Sequence, residues 1–67
     1  MNIPKSIRVA LAKQDMTRQQ LAERTGVHVT NISKMVNGKY GISADQVEGF
    51  ARAFGMKVSD FVALGED

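Results

Sequence analysis

Residues 17–38 read T-R-Q-Q-L-A-E-R-T-G-V-H-V-T-N-I-S-K-M-V-N-G and contain two short helical patterns joined around Gly26. Thr17 is a favourable N-cap, and Gln20, three residues later, completes a capping box. Gly26 can adopt a positive φ and end the first helix, and Gly38 can end the second. Two helices this short, joined by so tight a turn, are predicted to cross steeply as a helix-turn-helix.

The composition narrows the class of protein. Sixty-seven residues make one domain, near the lower size limit for folding without disulfides or metal. We therefore expect a single domain over residues 1–67, with the helix-turn-helix at about 17–37. Without cysteine and with a single histidine, we expect no metal site and a reducing, cytoplasmic compartment. No apolar run approaches membrane-spanning length, and no signal peptide is apparent at the start, so no membrane contact is expected.

Charge is distributed unevenly along the chain. Residues 5–39 carry seven basic and two acidic side chains, a net charge of +5, whereas residues 40–67 carry two basic and five acidic ones, a net charge of −3. A basic half and an acidic half indicate that a polyanion binds on one side of the molecule. Ordinary surface charge is the alternative.

Helical periodicity continues before the central stretch. Asn2 can cap a first helix from about residue 4 to Gln14, with Pro4 tolerated in its first turn. Asp15 stands where a helix-ending residue with positive φ is expected, although aspartate fills that role less easily than glycine.

Two more helices are predicted after the central stretch. Ser43 and Gln46 form a second capping box, which starts a helix at about Ala44 that ends at Gly55. A fifth helix then starts at Lys57 or Ser59, and residues 65–67 are expected to fray. No strand pattern is visible, so the chain is predicted to be all-α with five short helices. The predicted core is Ile7, Leu11, Leu21, Ala22, Val27, Ile32, Met35, Val36, Val47, Phe50, Ala51, Phe54, Met56 and Phe61.

Nearly the whole chain resembles the lambda-repressor/Cro-type (XRE-like) helix-turn-helix regulators. The family pattern reads L-A-x-x-x-G-V-x-x-x-x-I-S-x-x-x-N-G, followed by S-x-x-x-L-x-x-[IF]-A-x-x-[LF]-G-[VM]. The first half is matched by Leu21, Ala22, Gly26, Val27, Ile32, Ser33, Asn37 and Gly38. The second half is matched by Ser43, Val47, Phe50, Ala51, Phe54, Gly55 and Met56, with Phe61 beyond it. The resemblance implies a five-helix lambda-repressor-like domain, and a chain of this size resembles a small phage or prophage Cro- or repressor-like protein.

The resemblance also implies that the helix from about residue 29 to 36 enters the major groove of double-stranded DNA. The expected base contacts are Val29, Thr30, Asn31 and Lys34. The expected phosphate contacts are Thr17, Arg18, His28, Asn37, Lys39 and Tyr40. Their chemistry agrees: Lys34 can donate to guanine, Asn31 can pair with adenine, and Val29 or Thr30 can pack on a thymine methyl. A merely solvated helix face is the alternative reading.

Some positions depart from the family pattern. Lambdoid repressors often begin this helix with glutamines that contact adenine, whereas this chain has Val29 and Thr30. His28 replaces the usual serine or threonine cap, and Lys57 stands where a capping serine is common. The target sequence therefore does not carry over from those relatives.

The leading hypothesis is a sequence-specific DNA-binding regulator, most simply a repressor that binds a pseudo-palindromic operator as a dimer and is nucleoid-associated when bound. The expected dimer contacts are Met56, Phe61, Val62 and Leu64. The alternative is a small antitoxin or accessory protein-interaction module with a secondary DNA-binding role. An enzyme is disfavoured, because the sequence lacks paired carboxylates on one helix face and a glycine-rich phosphate loop after a strand. No cofactor or small-molecule ligand is expected.

Overall fold

A computed structural model describes residues 2–39 and 41–66 of the chain, and all regular structure in these ranges is helical. The elements are α1 (Ile3–Lys13), α2 (Arg18–Thr25), α3 (Val29–Val36), α4 (Ala44–Ala53) and α5 (Val58–Ala63). The five-helix, all-α prediction is confirmed. Helix α1 begins and ends one residue earlier than the periodicity indicated.

Side chains at the helix starts behave as the capping patterns predict. The Thr17 side chain accepts from the Gln20 amide, and the Gln20 side chain accepts from the Thr17 amide, which starts α2. Ser43 and Gln46 repeat this reciprocal capping box at α4. At α1, Asn2 Oδ1 accepts from the Lys5 amide at 3.1 Å. Each interaction satisfies amides that have no partner inside their helix.

Left-handed residues end the helices where the sequence places glycine. Gly26, Gly38 and Gly55 have φ values of 75°, 75° and 68°. Asp15 follows α1 with a φ of 51° and is the one non-glycine residue with positive φ in the described ranges. These residues let helices as short as α2 and α3 turn directly into the next element.

One core packs all five helices together. Twelve of the predicted core residues are buried, whereas Val27 and Met56 are only half-buried at its margin. Ile3 and Ala10 on α1 join the core. The rings of Phe54 and Phe61 stack with their centroids 5.8 Å apart, which joins the end of α4 to α5.

The predicted fraying of the tail is wrong at Gly65. This residue is buried, and its amide donates to the Val62 carbonyl at 3.1 Å. A Cβ at this position would collide with the backbone carbonyl of Asn2 and lie 2.6 Å from Ser6 Oγ. Gly65 therefore packs directly against the start of α1, and its lack of a side chain permits that approach. Asp67 lies outside the described residues.

Candidate nucleic-acid interface

The packing of α3 determines which of its side chains face outward. Ile32, Met35 and Val36 are buried against the core, and α3 packs against both α1 and α2. On the remaining face, Thr30 and Lys34 are exposed, and Asn31 is half-buried. Because a helix has about 3.6 residues per turn, these three side chains share the face opposite the core.

The outward side chains of Thr30, Asn31 and Lys34 make no hydrogen bond within residues 2–39 and 41–66. Their donors and acceptors are therefore open to an external ligand. Val29 differs, since it is half-buried and packs against the core. Only the exposed part of its side chain is open to a thymine methyl group.

The start of α2 presents a second set of polar groups in the helix-turn-helix. The Thr17 hydroxyl accepts from the Gln20 amide, which leaves the hydroxyl hydrogen able to donate. The amides of Arg18 and Gln19 have no hydrogen-bond partner among the described residues. They lie at the positive end of the helix dipole, an arrangement that suits an anion.

Arg18 bridges α2 and α3, which the sequence did not reveal. Its Nη1 donates to Ser33 Oγ at 3.3 Å, and the side chain is exposed. A guanidinium has five N–H donors, so this bond leaves others available. Arg18 can hold Ser33 and an external anion at the same time.

His28 caps α3 through its ring. Its Nδ1 accepts from the Thr30 amide at 3.1 Å. In the neutral ring this acceptor role places the proton on Nε2. The exposed ring of His28 can therefore donate from Nε2 to an acceptor such as a phosphate oxygen.

The segment after α3 is fixed to the helix by backbone hydrogen bonds. The Gly38 amide donates to the Met35 carbonyl at 3.1 Å, and the Lys39 amide donates to the Lys34 carbonyl at 2.9 Å. The side chains of Asn37 and Lys39 are exposed. The predicted contact Tyr40 lies outside the described residues.

Arg8 of α1 also reaches this end of α3. Its Nη1 donates to the carbonyl oxygen of Val36, the last residue of the helix, at 3.2 Å. Arg8 is not among the DNA-contact residues that the sequence predicted. The two residues are 28 positions apart, so no local pattern indicates the pairing.

The predicted dimer surface requires a correction. Phe61 has 0% exposure within one chain because its ring is packed inside the core against Phe54. Its assignment as a dimer contact is therefore wrong. Met56, Val62 and Leu64 are half-buried, and Val58, which the sequence reading missed, is 41% exposed.

Neither a metal site nor a membrane span is found in the part of the chain that the structure describes. Residues 2–39 and 41–66 contain no group of three or more histidine, aspartate or glutamate side chains that could hold a metal ion. None of the described helices is long and apolar enough to cross a membrane.

Comparison with known proteins identifies the arrangement. The Cro/C1-type HTH DNA-binding domain family matches residues 6–67. The chain belongs to this family. The resemblance to lambda-repressor/Cro-type regulators is confirmed, and the chain is a DNA-binding domain of the transcription-regulator type.

Two relatives of this Cro/C1-type domain carry regulator names. The "Competence pilus inhibition repressor" of Acinetobacter baylyi is 36% identical over 67 residues, which are 100% of this chain and 61% of the relative. An "Uncharacterized HTH-type transcriptional regulator" of Archaeoglobus fulgidus is 36% identical over 56 residues, 84% of this chain and 79% of the relative. The chain thus spans less than two thirds of the Acinetobacter protein.

Proposed function

We propose that this domain represses transcription by binding a two-fold-symmetric operator as a dimer, with α3 of each copy in the major groove. The observation that carries the proposal is the outward face of α3. Thr30, Asn31 and Lys34 are left without hydrogen-bond partners among the described residues, on a helix whose other face is buried. Base edges offer the donors, acceptors and methyl groups that such side chains match.

Side chains around the helix-turn-helix supply the sequence-independent part of binding. Thr17 and Arg18 lie at the start of α2, His28 lies at the start of α3, and Asn37 and Lys39 follow the end of α3. All five can donate hydrogen bonds, which phosphate oxygens require. In this proposal they fix the register of α3, while Thr30, Asn31 and Lys34, with Val29 at the edge, read the bases.

A dimer follows from the size of the domain. A single module of this kind buries only roughly 600–1,000 Å² on DNA, and paired half-sites centred about 34–36 Å apart raise the affinity. We propose that Met56, Val62 and Leu64 contribute to the contact between copies, together with the exposed Val58. These apolar side chains belong to the acidic half of the chain, whereas the side chains assigned to DNA belong to the basic half.

Repression is the simplest regulatory effect of such binding, because an occupied operator excludes polymerase. The name of the Acinetobacter baylyi relative, a repressor, supports this choice over activation. That the chain is a small phage or prophage regulator, as its resemblance implies, stays a prediction.

Selection of bound duplexes from a random DNA pool at physiological salt tests the proposal. A two-fold-symmetric site with half-sites about 10 bp apart is the expected product. A single enriched half-site would contradict the dimer while keeping sequence-specific binding. No enrichment, with only weak salt-sensitive retention, would favour the antitoxin or accessory module instead.

Lys34→Ala tests the readout itself. We expect a loss of about 1–3 kcal/mol on the selected site, a much smaller loss on random DNA, and relaxed preference at one base pair. Competition binding against single-base variants of the site measures this. Lys13→Ala is the matched control, since Lys13 is also an exposed helical lysine but lies on α1. An equal loss on every sequence would remove Lys34 from the base contacts.

A further inference from the structure

The C-terminal end of α3 is held by a side chain from another helix. Arg8 Nη1 on α1 donates to the carbonyl oxygen of Val36 at 3.2 Å. We propose that Arg8 is a positioning residue for DNA sequence recognition, which fixes the end of α3 and thereby the placement of Lys34 against the bases. The inference rests on the proposed function of α3 as the recognition helix.

Helix α3 needs such a restraint because it is short. Its eight residues span about 12 Å, or little more than two turns. Its buried side chains, Ile32, Met35 and Val36, resist separation from the core. Apolar contacts are not directional, however, so they constrain the rotation and axial position of a helix less sharply than a contact with a preferred direction does. A hydrogen bond with a defined donor and acceptor adds that constraint.

The chemistry at this end suits an arginine. The last carbonyl groups of a helix lack intrahelical partners and form the negative end of the helix dipole. The Arg8 guanidinium supplies both a donor and a positive charge. Among the described residues, its bond to Val36 is the one hydrogen bond that a side chain of another helix makes to the backbone of α3.

The hydrogen bond from Arg8 to Val36 lies close to Lys34, the side chain that we expect to contact a base. Lys34 precedes Val36 by two residues, and its carbonyl accepts from the Lys39 amide at 2.9 Å. A shift at Val36 therefore moves both Lys34 and the segment that carries Asn37 and Lys39. Displacements smaller than 1 Å matter for bidentate hydrogen bonds to base edges, because their geometry is fixed.

Arg8→Met tests the proposal, because methionine keeps an unbranched apolar stem but removes the donor and the charge. Arg52→Met is the matched control, since Arg52 is an exposed arginine on α4 whose side chain makes no hydrogen bond to α3 among the described residues. The measurement is the ratio of affinities for the selected operator and for random DNA. We expect Arg8→Met to lower this ratio roughly 2- to 30-fold, while Arg52→Met leaves it unchanged.

Salt dependence separates positioning from direct phosphate contact. For a positioning residue, the slope of log affinity against log salt in Arg8→Met matches that in Arg52→Met. An equal loss on operator and random DNA, with a slope shallower by about 0.9 per copy, would make Arg8 a phosphate ligand and overturn the proposal. An unchanged affinity ratio would also overturn it.

Arg8→Gln decides the question if Arg8→Met does not fold. Glutamine retains an N–H donor but lacks the charge and the reach of arginine. The affinity ratio of Arg8→Gln must then fall below that of Arg52→Gln. Equality between the two variants overturns the proposal.

Amide hydrogen exchange of the free protein gives a readout that does not depend on an operator. If Val36 is released, the Gly38 and Lys39 amides, which are bonded to the last turn of α3, should exchange faster in Arg8→Met than in Arg52→Met. If the wild-type chain selects no operator, the proposed function fails, whereas this exchange difference still tests the restraint. Equal exchange rates would overturn it.

Discussion

The two ends of α3 are stabilised in different ways. At its start, the His28 ring accepts from an amide two residues away, whereas at its end the Val36 carbonyl accepts from Arg8, 28 residues away. Local caps recur at the starts of α1, α2 and α4, where Asn2, Thr17 and Ser43 accept from amides within three residues. Remote bonds recur at the ends of α4 and α5. The remote bonds near helix ends run from Arg24 to Ala53, from Gln14 to Phe54 and from Ser6 to Val62, at 3.1, 2.7 and 3.3 Å.

Helix starts and helix ends are specified by residues at different distances along the chain. A side-chain oxygen or nitrogen at an N-cap reaches the first amides of its own helix, so helix starts are encoded locally. The carbonyl groups at a helix end need donors, and at the ends of α3, α4 and α5 arginine, glutamine and serine side chains from distant parts of the chain supply them. Each such bond also holds one helix against another. The ends of α3, α4 and α5 therefore depend on how the helices pack together, whereas the helix starts depend on neighbouring residues.

Gly65→Ala should produce the largest change in stability, because it disrupts a remote contact. The added methyl group meets the backbone carbonyl of Asn2, which cannot move without shifting the start of α1. We expect a loss of about 1–3 kcal/mol in the free energy of unfolding, measured by urea denaturation. Gly49→Ala is the control, because a Cβ there meets nothing within 4 Å and alanine favours helix α4 by up to ~1 kcal/mol. A neutral Gly65→Ala would show that the tail does not pack as described.

Ser43→Ala removes a local cap of α4 and should cost less. The expected loss is about 1 kcal/mol in the free energy of unfolding, because the Gln46 amide loses its acceptor. Ser43→Asp should retain most of the stability, since aspartate is an equally good cap. The difference in the free energy of unfolding between these two variants, measured by urea denaturation, gives the contribution of the cap. If both variants lose the same amount, the cap is not the cause.

Lys57→Ser should raise stability slightly, because α5 starts without a side-chain cap. Lys57 already has the extended backbone of an N-cap residue, with φ −71° and ψ 150°, but its side chain makes no capping bond. Serine should add that bond and stabilise the protein by about 0.5–1 kcal/mol. Thermal unfolding measures the gain. Lys57→Ala removes the same charge without adding an acceptor, and an equal gain in that variant would contradict the capping explanation.

Arg18→Ala should have the smallest effect on folding and a clear effect on DNA binding. The exposed bond from Arg18 to Ser33 should contribute less than about 1 kcal/mol to stability. If Arg18 also contacts a phosphate, affinity should fall on all DNA sequences, and the salt slope should become shallower by about 0.9 per copy. Arg52→Ala serves as the control. An unchanged slope would leave Arg18 as a link between α2 and α3 alone.

The sequence predicts the parts of this structure that are encoded within a few residues. The capping boxes at Thr17 and Ser43, the left-handed Gly26 and the left-handed Asp15 all lie where local patterns placed them. The helical periodicity then identified most of the core and the outward face of α3.

The remaining features depend on residues that are distant in the chain. The bonds that Arg8 and Arg18 make to α3 span 28 and 15 positions, and nothing beside either arginine indicates its partner. Gly65 resembled a tail residue, because its contact with Asn2 exists only once α1 and α5 have packed. Phe61 was predicted both in the core and at the dimer contact, and its complete burial and its stacking on Phe54 agree with the core prediction alone.

The packing of Gly65 against Asn2 places the two ends of the described chain next to each other. A short linker between the two ends and a cut between α3 and α4 would give a circular permutant with the same helix packing. In that permutant α3 would be the last helix of the chain, with no covalent connection to α4. The C-terminal end of α3 would then depend on the hydrogen bond from Arg8 to Val36, without the backbone connection to α4 that now helps to hold it.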